Sequence, residues 1–199
     1  MKNNRNYLAA IKESSYFLIL ILFLFFTIIW VLLLGFASPI FLLGGFIFGK
    51  WVGTLLVVFG LSVGATILYI FANYFLKNLI KEKFSNKYSS LNEKFKQNEF
   101  SFMLIYRIIG GIPFFISNIL PTLFNVRIRN FFFGTLIGMT PQLFIGTTLG
   151  SGIEKIIDKN MEAPTFIELF ISSEIYIPIL GFIFLVVLGF FFKRYFYKK

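Results

Sequence analysis

Residues 17–36 (FLILILFLFFTIIWVLLLGF) form a run of twenty positions without a charged side chain. A helix rises about 1.5 Å per residue, so the run is about 30 Å long, which matches the hydrocarbon core of a bilayer. It predicts a first membrane-spanning helix. Gly35 and Ala37 also resemble the cleavage site of a signal peptide. That alternative is disfavoured because the run exceeds about 7–15 residues and Pro39 follows it.

Composition extends this prediction to the whole chain. Hydrophobic residues occupy 57% of the 199 positions, and 30 residues are Phe. A water-soluble core of this size cannot bury so much apolar surface, so we expect an integral membrane protein built of helices. The chain has no Cys and no His, which excludes disulfides, thiolate or imidazole chemistry and the usual zinc sites. We therefore predict no enzyme activity, no cofactor and no metal.

The distribution of charge predicts the orientation. Lys and Arg concentrate in 1–16, 77–99 and 193–199, whereas acidic residues predominate in 151–174. Basic flanks of membrane helices remain cytoplasmic, so both termini are predicted inside and 151–174 outside. The high content of Phe, Ile, Lys and Asn indicates an AT-rich bacterial genome, and with it a bacterial inner membrane. Apolar residues recur every three or four positions in 77–99, which predicts a basic amphipathic helix. These flanks indicate anionic lipid headgroups as partners, and not nucleic acid.

Two regions hold more residues than one crossing needs. With this orientation, 37–76 and 100–150 each cross the membrane once, and a re-entrant hairpin would accommodate their extra residues. In the second region, Gly110, Gly111 and Pro113 disfavour a continuous helix and predict two half-helices.

The first region has a similar pattern. Ser38 and Pro39 predict a helix start, and glycines that include Gly45 and Gly49 permit a bend. Paired interrupted segments entering from opposite sides indicate a transporter with a site near the midplane. Gly138 and Pro141 are candidate helix breaks in the second half; close helix packing and a simple kink are the respective alternatives.

Arg107 is the most unusual residue of the second region. A guanidinium in hydrocarbon costs at least about 2.5 kcal/mol and needs partners or water. Snorkelling of its side chain to the inner interface is one interpretation. The other is bidentate binding of a phosphate, with Asn118, Thr140 and Gln142 lining the same polar path.

The segment 44–51 (GGFIFGKW) is similar to a phosphate-binding loop but lacks the Ser or Thr that holds magnesium. Nucleotide hydrolysis is therefore not expected. Lys50 and Trp51 instead predict an anchor at the membrane interface, and a site at the bend remains an alternative.

Together these residues resemble the DedA superfamily, also called the VTT or SNARE-associated Golgi protein domain family. The resemblance covers about 37–155, and the order and spacing agree in both halves at Pro39, Gly45, Gly49, Gly53, Gly64, Arg107, Pro113, Asn118, Gly134, Gly138, Pro141 and Gly150. It implies an all-α polytopic bundle with two opposed re-entrant hairpins in an inverted repeat. It also implies a role in moving lipids between leaflets.

One departure from the family bears on energy coupling. Proton-coupled relatives carry carboxylates in or beside the hairpins, whereas no Asp or Glu occurs from Ser14 to Lys81 or from Ser101 to Gly152. A buried carboxylate is the usual proton carrier in a helical bundle. Uncoupled movement of lipid is therefore favoured.

These observations predict three parts: 1–36, with the first spanning helix; 37–155, the DedA-like domain; and 156–199, with an external segment, a last spanning helix and a basic tail. The predicted function is that of a scramblase or flippase for phospholipid or polyprenyl phosphate. The alternatives are a proton- or ion-coupled exchanger of small solutes and a membrane assembly factor without transport activity.

Overall fold

The computed structural model of the chain describes residues 2–78 and 98–159, together with ten helical positions between 173 and 187. The helices are α1 (Lys2–Leu32), α2 (Ala37–Phe75), α3 (Glu99–Ile109), α4 (Phe114–Ile119), a 3₁₀ helix (Leu120–Phe124) and α5 (Ile128–Lys159). No strand occurs within the described ranges, so the predicted all-α class is confirmed. The predicted amphipathic helix in 77–99, the external segment after 159 and the basic tail lie largely outside the described residues.

Within the described residues, three helical stretches are long and apolar enough to cross a membrane, namely Ser15–Leu32, Ala37–Phe75 and Ile128–Glu154. Large apolar side chains cover their outer faces, as at Leu55, which is 73% exposed. Such a surface is stable only in contact with hydrocarbon. The prediction of a membrane protein with spanning helices is confirmed.

Helix α2 bends at Gly49, where φ is 72° and ψ is 175°. Only glycine adopts this conformation readily. The bend divides α2 into a short segment (37–48) and a long segment (50–75). A Cβ added at Gly53 would overlap the carbonyl oxygen of Gly44, so the two segments fold back on each other. The structure has the bend at Gly49, and α2 begins at Ala37 with Phe36 as its N-cap, one residue before the predicted start at Ser38 and Pro39.

The turn between α1 and α2 occupies residues 33–36. It is closed by a 2.8 Å hydrogen bond that Trp30 Nε1 donates to the carbonyl oxygen of Phe36. The last turn of α1 contacts the long segment of α2 at Gly64, where an added Cβ would lie 2.8 Å from Val31 Cβ. The ring of Phe36 meets that of Phe115 in α4 at 6.4 Å. The α1–α2 turn therefore lies beside α4.

The chain reverses again between α3 and α4. Gly110 and Gly111 have φ of 61° and 79°, and Pro113 is the N-cap of α4. Tyr106 Oη donates a 3.2 Å hydrogen bond to the carbonyl oxygen of Ser117, so α4 lies back along α3. The two half-helices predicted from the glycine pair and the proline are confirmed.

Helix α5 runs without interruption through Gly138 and Pro141, so the helix breaks predicted at these residues are wrong. Pro141 lacks the N–H that would bond the carbonyl oxygen of Ile137, but both residues are exposed and the rest of the helix is packed. Gly138 has a packing role, because an added Cβ would lie 2.7 Å from Arg107 Cβ. Gly45 likewise lies within a helix, against the backbone of Thr147.

Candidate functional site

Arg107, in the last turn of α3, is 95% buried, with 5% of its surface exposed. Its Nε donates to Thr135 Oγ1 at 3.1 Å, its Nη1 to Ser117 Oγ at 2.8 Å, and its Nη2 to Asn118 Oδ1 at 2.8 Å. The partners come from α4 and α5, so the guanidinium joins three helices. The snorkelling interpretation is wrong, because the side chain points into the bundle.

The surroundings of Arg107 are neutral. Its guanidinium carbon lies 5.2 Å from the ring centroid of Phe131 and 5.8 Å from that of Tyr106, at distances where an aromatic face attracts a cation. The only acidic residue between positions 98 and 153 is Glu99. Glu99 accepts hydrogen bonds from the Arg127 backbone and from Asn130. Among the described residues, the buried charge of Arg107 has no carboxylate partner.

Asn118 is fully buried, and its Nδ2 has no hydrogen-bond partner among the described residues. Leaving a buried donor unpaired costs about 1–3 kcal/mol. Orphaned donors of this kind are rare and usually have a partner that binds later, such as water or a ligand. Asn118 thus places a free N–H group beside the positive charge of Arg107.

Gln142 holds the end of α3. Its Nε2 donates to the carbonyl oxygens of Arg107 at 3.1 Å and Ile108 at 2.7 Å. These carbonyls lie in the last turn of a helix, where no following N–H completes the ladder. Gln142 therefore caps α3 at the break and fixes the backbone that carries Arg107.

A cavity of about 390 Å³ opens between the start of α2, the break after α3 and the middle of α5. Its volume falls in the range of small-molecule sites. Arg107, Ser117 and Gln142 form its polar part. Tyr106 also lines it, with its Oη bonded to Ser117. The remaining lining is glycine and apolar side chains, including Ala37, Phe41, Gly110, Gly111, Met139 and Leu149.

The structure brings together Arg107, Asn118 and Gln142 from the predicted path, but it does not bring Thr140 to them. Thr140 is exposed, and its Oγ1 donates to Leu136 of its own helix at 2.6 Å. Its side chain faces a second cavity on another side of α5. Of the predicted break residues, Gly110 and Gly111 line the Arg107 cavity, whereas Ser38 and Pro39 are exposed at the start of α2.

Sequence reasoning missed Ser117 and Thr135 as partners of Arg107. Thr135 lies seven residues before Gln142. That spacing places both residues on one face of α5, so it was a usable signal. Nothing in the local sequence indicates that this face, and not another, meets α3.

The approach of α3 to α5 depends on two glycines of α5. A Cβ added at Gly134 would lie 2.7 Å from Met103 Cβ, and one added at Gly138 the same distance from Arg107 Cβ. Small residues let helices approach closely in membranes. At this distance Thr135, between the two glycines, reaches Arg107 Nε.

Comparison with known proteins identifies the family to which the chain is similar. The family model described as the VTT domain matches residues 36–152. The chain is 30% identical to "Transmembrane protein 41 homolog" of Dictyostelium discoideum over 156 residues, 75% of this chain and 46% of that protein. It is 28% identical to "Transmembrane protein 41 homolog" of Caenorhabditis elegans over 75% of this chain and 62% of that protein.

A bacterial protein is similar as well. "Uncharacterized protein YqeD" of Bacillus subtilis is 30% identical over 111 residues, 55% of this chain and 53% of that protein. The chain thus spans between 46% and 62% of the length of these three relatives. No solved structure matches the chain.

Proposed function

The chain belongs to the VTT-domain family, and on that premise we propose that it moves phosphate-bearing lipids between the leaflets of a bacterial inner membrane, as a scramblase or flippase. The observation that carries the proposal is Arg107, a buried cation at the wall of a cavity with no carboxylate partner in the part of the chain that the structure describes. A cation held only by neutral groups retains its full attraction for an anion. A lipid phosphate is the abundant anion in a membrane.

The donors around the cavity match a phosphate. A guanidinium has five N–H donors, and the three hydrogen bonds of Arg107 use one on each nitrogen. Two N–H groups remain, one on Nη1 and one on Nη2, and guanidinium N–H groups are suited to binding phosphate oxygens. Asn118 is fully buried and lies outside the cavity lining, so it positions the guanidinium through Oδ1. The apolar remainder of the lining suits the hydrocarbon next to the headgroup.

We place the site between two opposed re-entrant hairpins of an inverted repeat. One hairpin is α3 with α4; its break contacts Gln142, near the middle of α5. The other is the short segment of α2, which runs back from the α1–α2 turn to the bend at Gly49; that turn lies near Gly64, in the middle of the long segment. The contact of Phe36 with Phe115 brings the two tips together. This arrangement gives a headgroup a polar position halfway across.

Passive movement is the mode that these residues favour. None of the described residues that line the cavity carries a carboxylate, and the sequence has none from Ser101 to Gly152. Transport coupled to protons relies on a titrating group within the membrane. We therefore expect movement of lipid without a proton gradient, and coupled exchange of solutes would require a carrier group that the cavity lacks.

The test is a leaflet-exchange assay with the purified chain in vesicles. One set of vesicles contains a fluorescent phospholipid, and a second set contains a fluorescent polyprenyl phosphate. Arg107→Ala is a poor probe, because it would leave Ser117, Asn118 and Thr135 without their partner. Ile112→Trp is sharper, since Ile112 lines the cavity and is 38% exposed. It should fill the opening, leave the hydrogen bonds intact and slow exchange by about tenfold or more, equivalent to about 1.4 kcal/mol.

The matched control is Ile70→Trp, which adds the same bulk at an isoleucine that is 44% exposed and lines neither cavity. It should exchange lipid at the parent rate. A fluorescent diacylglycerol has no phosphate, so its exchange rate should not depend on Ile112 or on Arg107. Equal rates for Ile112→Trp and Ile70→Trp would refute the assignment of the cavity as the lipid path, and a strict need for a pH gradient would refute passive movement.

A further inference from the structure

A second cavity of about 1090 Å³ lies between α1, the long segment of α2 and α5. Helix α5 separates it from the Arg107 site, because Thr140, Pro141 and Phe144 face this cavity whereas Met139, Gln142 and Leu143 face the other. We call this second cavity the apolar groove. The function proposed for Arg107 does not use it.

The walls of the apolar groove are hydrocarbon. Trp51 is 67% exposed, Leu55 73% and Phe59 48%, and all three line it. The two hydroxyl groups in the lining are already bonded: Thr140 Oγ1 donates to Leu136, and Thr54 Oγ1 donates to the carbonyl oxygen of Lys50. Other polar groups of the lining include the indole N–H of Trp51 and the carbonyl oxygen of Ile137, which Pro141 leaves without a helical donor. Hydrocarbon makes up most of the lining, so an apolar chain is the ligand that the groove favours.

A cation lies at one end of the groove. Lys50 follows the bend at Gly49, and its Nζ lies 5.7 Å from the ring centroid of Trp51, which lines the groove. Lys50 is exposed and is the only charged residue between Ser15 and Leu76. Lys and Trp side chains commonly lie at the depth of the lipid headgroups. The groove with Lys50 thus combines an apolar channel and one positive charge at its end.

We propose that the apolar groove binds an acyl chain of an anionic phospholipid whose phosphate contacts Lys50. The charge complementarity of Lys50 and the phosphate selects an anionic lipid, and the apolar lining excludes polar solutes. The proposal does not depend on lipid movement at Arg107, because the two cavities lie on different faces of α5. A lipid bound here would fill the space between α2 and α5 beside the bend.

Tryptophan fluorescence tests the proposal directly. The chain has two Trp residues, so the difference between the parent protein and Trp51→Phe isolates the emission of Trp51. In vesicles of phosphatidylcholine, phosphatidylglycerol with brominated acyl chains should quench Trp51 at about a fivefold lower mole fraction than brominated phosphatidylcholine. One basic residue near the membrane surface provides a preference of this size. Trp30 should show no such preference.

Two variants separate the parts of the site. Lys50→Gln should abolish the preference for phosphatidylglycerol and leave quenching by either lipid. Thr140→Phe, which fills the groove and leaves Lys50 in place, should reduce quenching of Trp51 by both lipids. Equal quenching by the two lipids in the parent protein would overturn the proposal. Parent-like quenching of Trp51 in Thr140→Phe would also overturn it. If Thr140→Phe instead lost self-association, the occupant of the groove would be a second copy of the chain, and the proposal would be wrong.

Discussion

Arg107 Nη2 donates a 2.8 Å hydrogen bond to Asn118 Oδ1 across the break between α3 and α4. This contact joins the only charge of the cavity lining to a fully buried amide. It allows the charge of Arg107 to be changed without removing Arg107 itself.

Asn118→Asp should preserve the fold and slow the movement of phosphate lipids. Aspartate has nearly the same shape and accepts the same hydrogen bond, and its negative charge supplies the counterion that Arg107 lacks. A phosphate would then meet a neutral pair. We expect the exchange rate to fall by about tenfold or more, which corresponds to about 1.4 kcal/mol, as measured in the vesicle assay.

The free energy of unfolding of Asn118→Asp should match or exceed that of the parent protein in a denaturant titration. Asn118→Leu is its counterpart, because it leaves Nη2 of a buried cation unpaired and should cost about 1–3 kcal/mol of stability. Parent-like lipid exchange in a folded Asn118→Asp variant would contradict a role for the charge of Arg107 in binding.

Gln142→Leu should loosen the break after α3. The change removes both hydrogen bonds that cap the carbonyl oxygens of Arg107 and Ile108, so we expect a loss of about 1–3 kcal/mol in the free energy of unfolding. Hydrogen exchange should also become faster in 107–113 than in the long segment of α2.

The control for Gln142→Leu is Thr140→Val, two residues away. Thr140 bonds only its own helix and is exposed, so the free energy of unfolding should change by no more than about 0.5 kcal/mol. If the free energy of unfolding fell by a similar amount in both variants, the substitutions would be perturbing α5 itself, and not the cap of α3.

Gly138→Ala should destabilise the protein although it replaces glycine inside a helix. Helix propensity alone predicts a gain of about 1 kcal/mol. The added Cβ would lie 2.7 Å from Arg107 Cβ and 2.9 Å from the carbonyl oxygen of Leu104, so α3 must move away from α5. We expect a net loss of about 1–3 kcal/mol in a denaturant titration.

Gly181→Ala provides the comparison for Gly138→Ala, since its added Cβ would meet Ile145 Cδ1 at 3.6 Å, an ordinary contact. It should be neutral or stabilising. If Gly138→Ala proved as stable as Gly181→Ala, the tight contact between α3 and α5 would not be a feature of the protein in the membrane.

Local features of the sequence predict the membrane class and the positions of the breaks. The uncharged run of 17–36 and the high content of apolar residues require hydrocarbon as the solvent. The conformations of Gly49, Gly110 and Gly111 follow from a missing Cβ, which is a property of each residue alone. The order and spacing of the glycines, prolines and Arg107 also identify the family. None of these predictions needs a contact between distant residues.

The packing of the helices decided the rest. Thr140 and Gln142 are two residues apart and equally polar, yet only Gln142 reaches α3, because the rotation of α5 about its axis places Thr140 at the apolar groove. Gly138 and Pro141 break no helix because the surrounding packing retains α5. Ser117 and Thr135 hold Arg107 only because α4 folds back and Gly134 and Gly138 admit α3 closely. The sequence by itself thus determined the solvent and the breaks at Gly49 and after α3, whereas tertiary contacts decided that Arg107 is buried and selected its partners, since both depend on which helix faces meet.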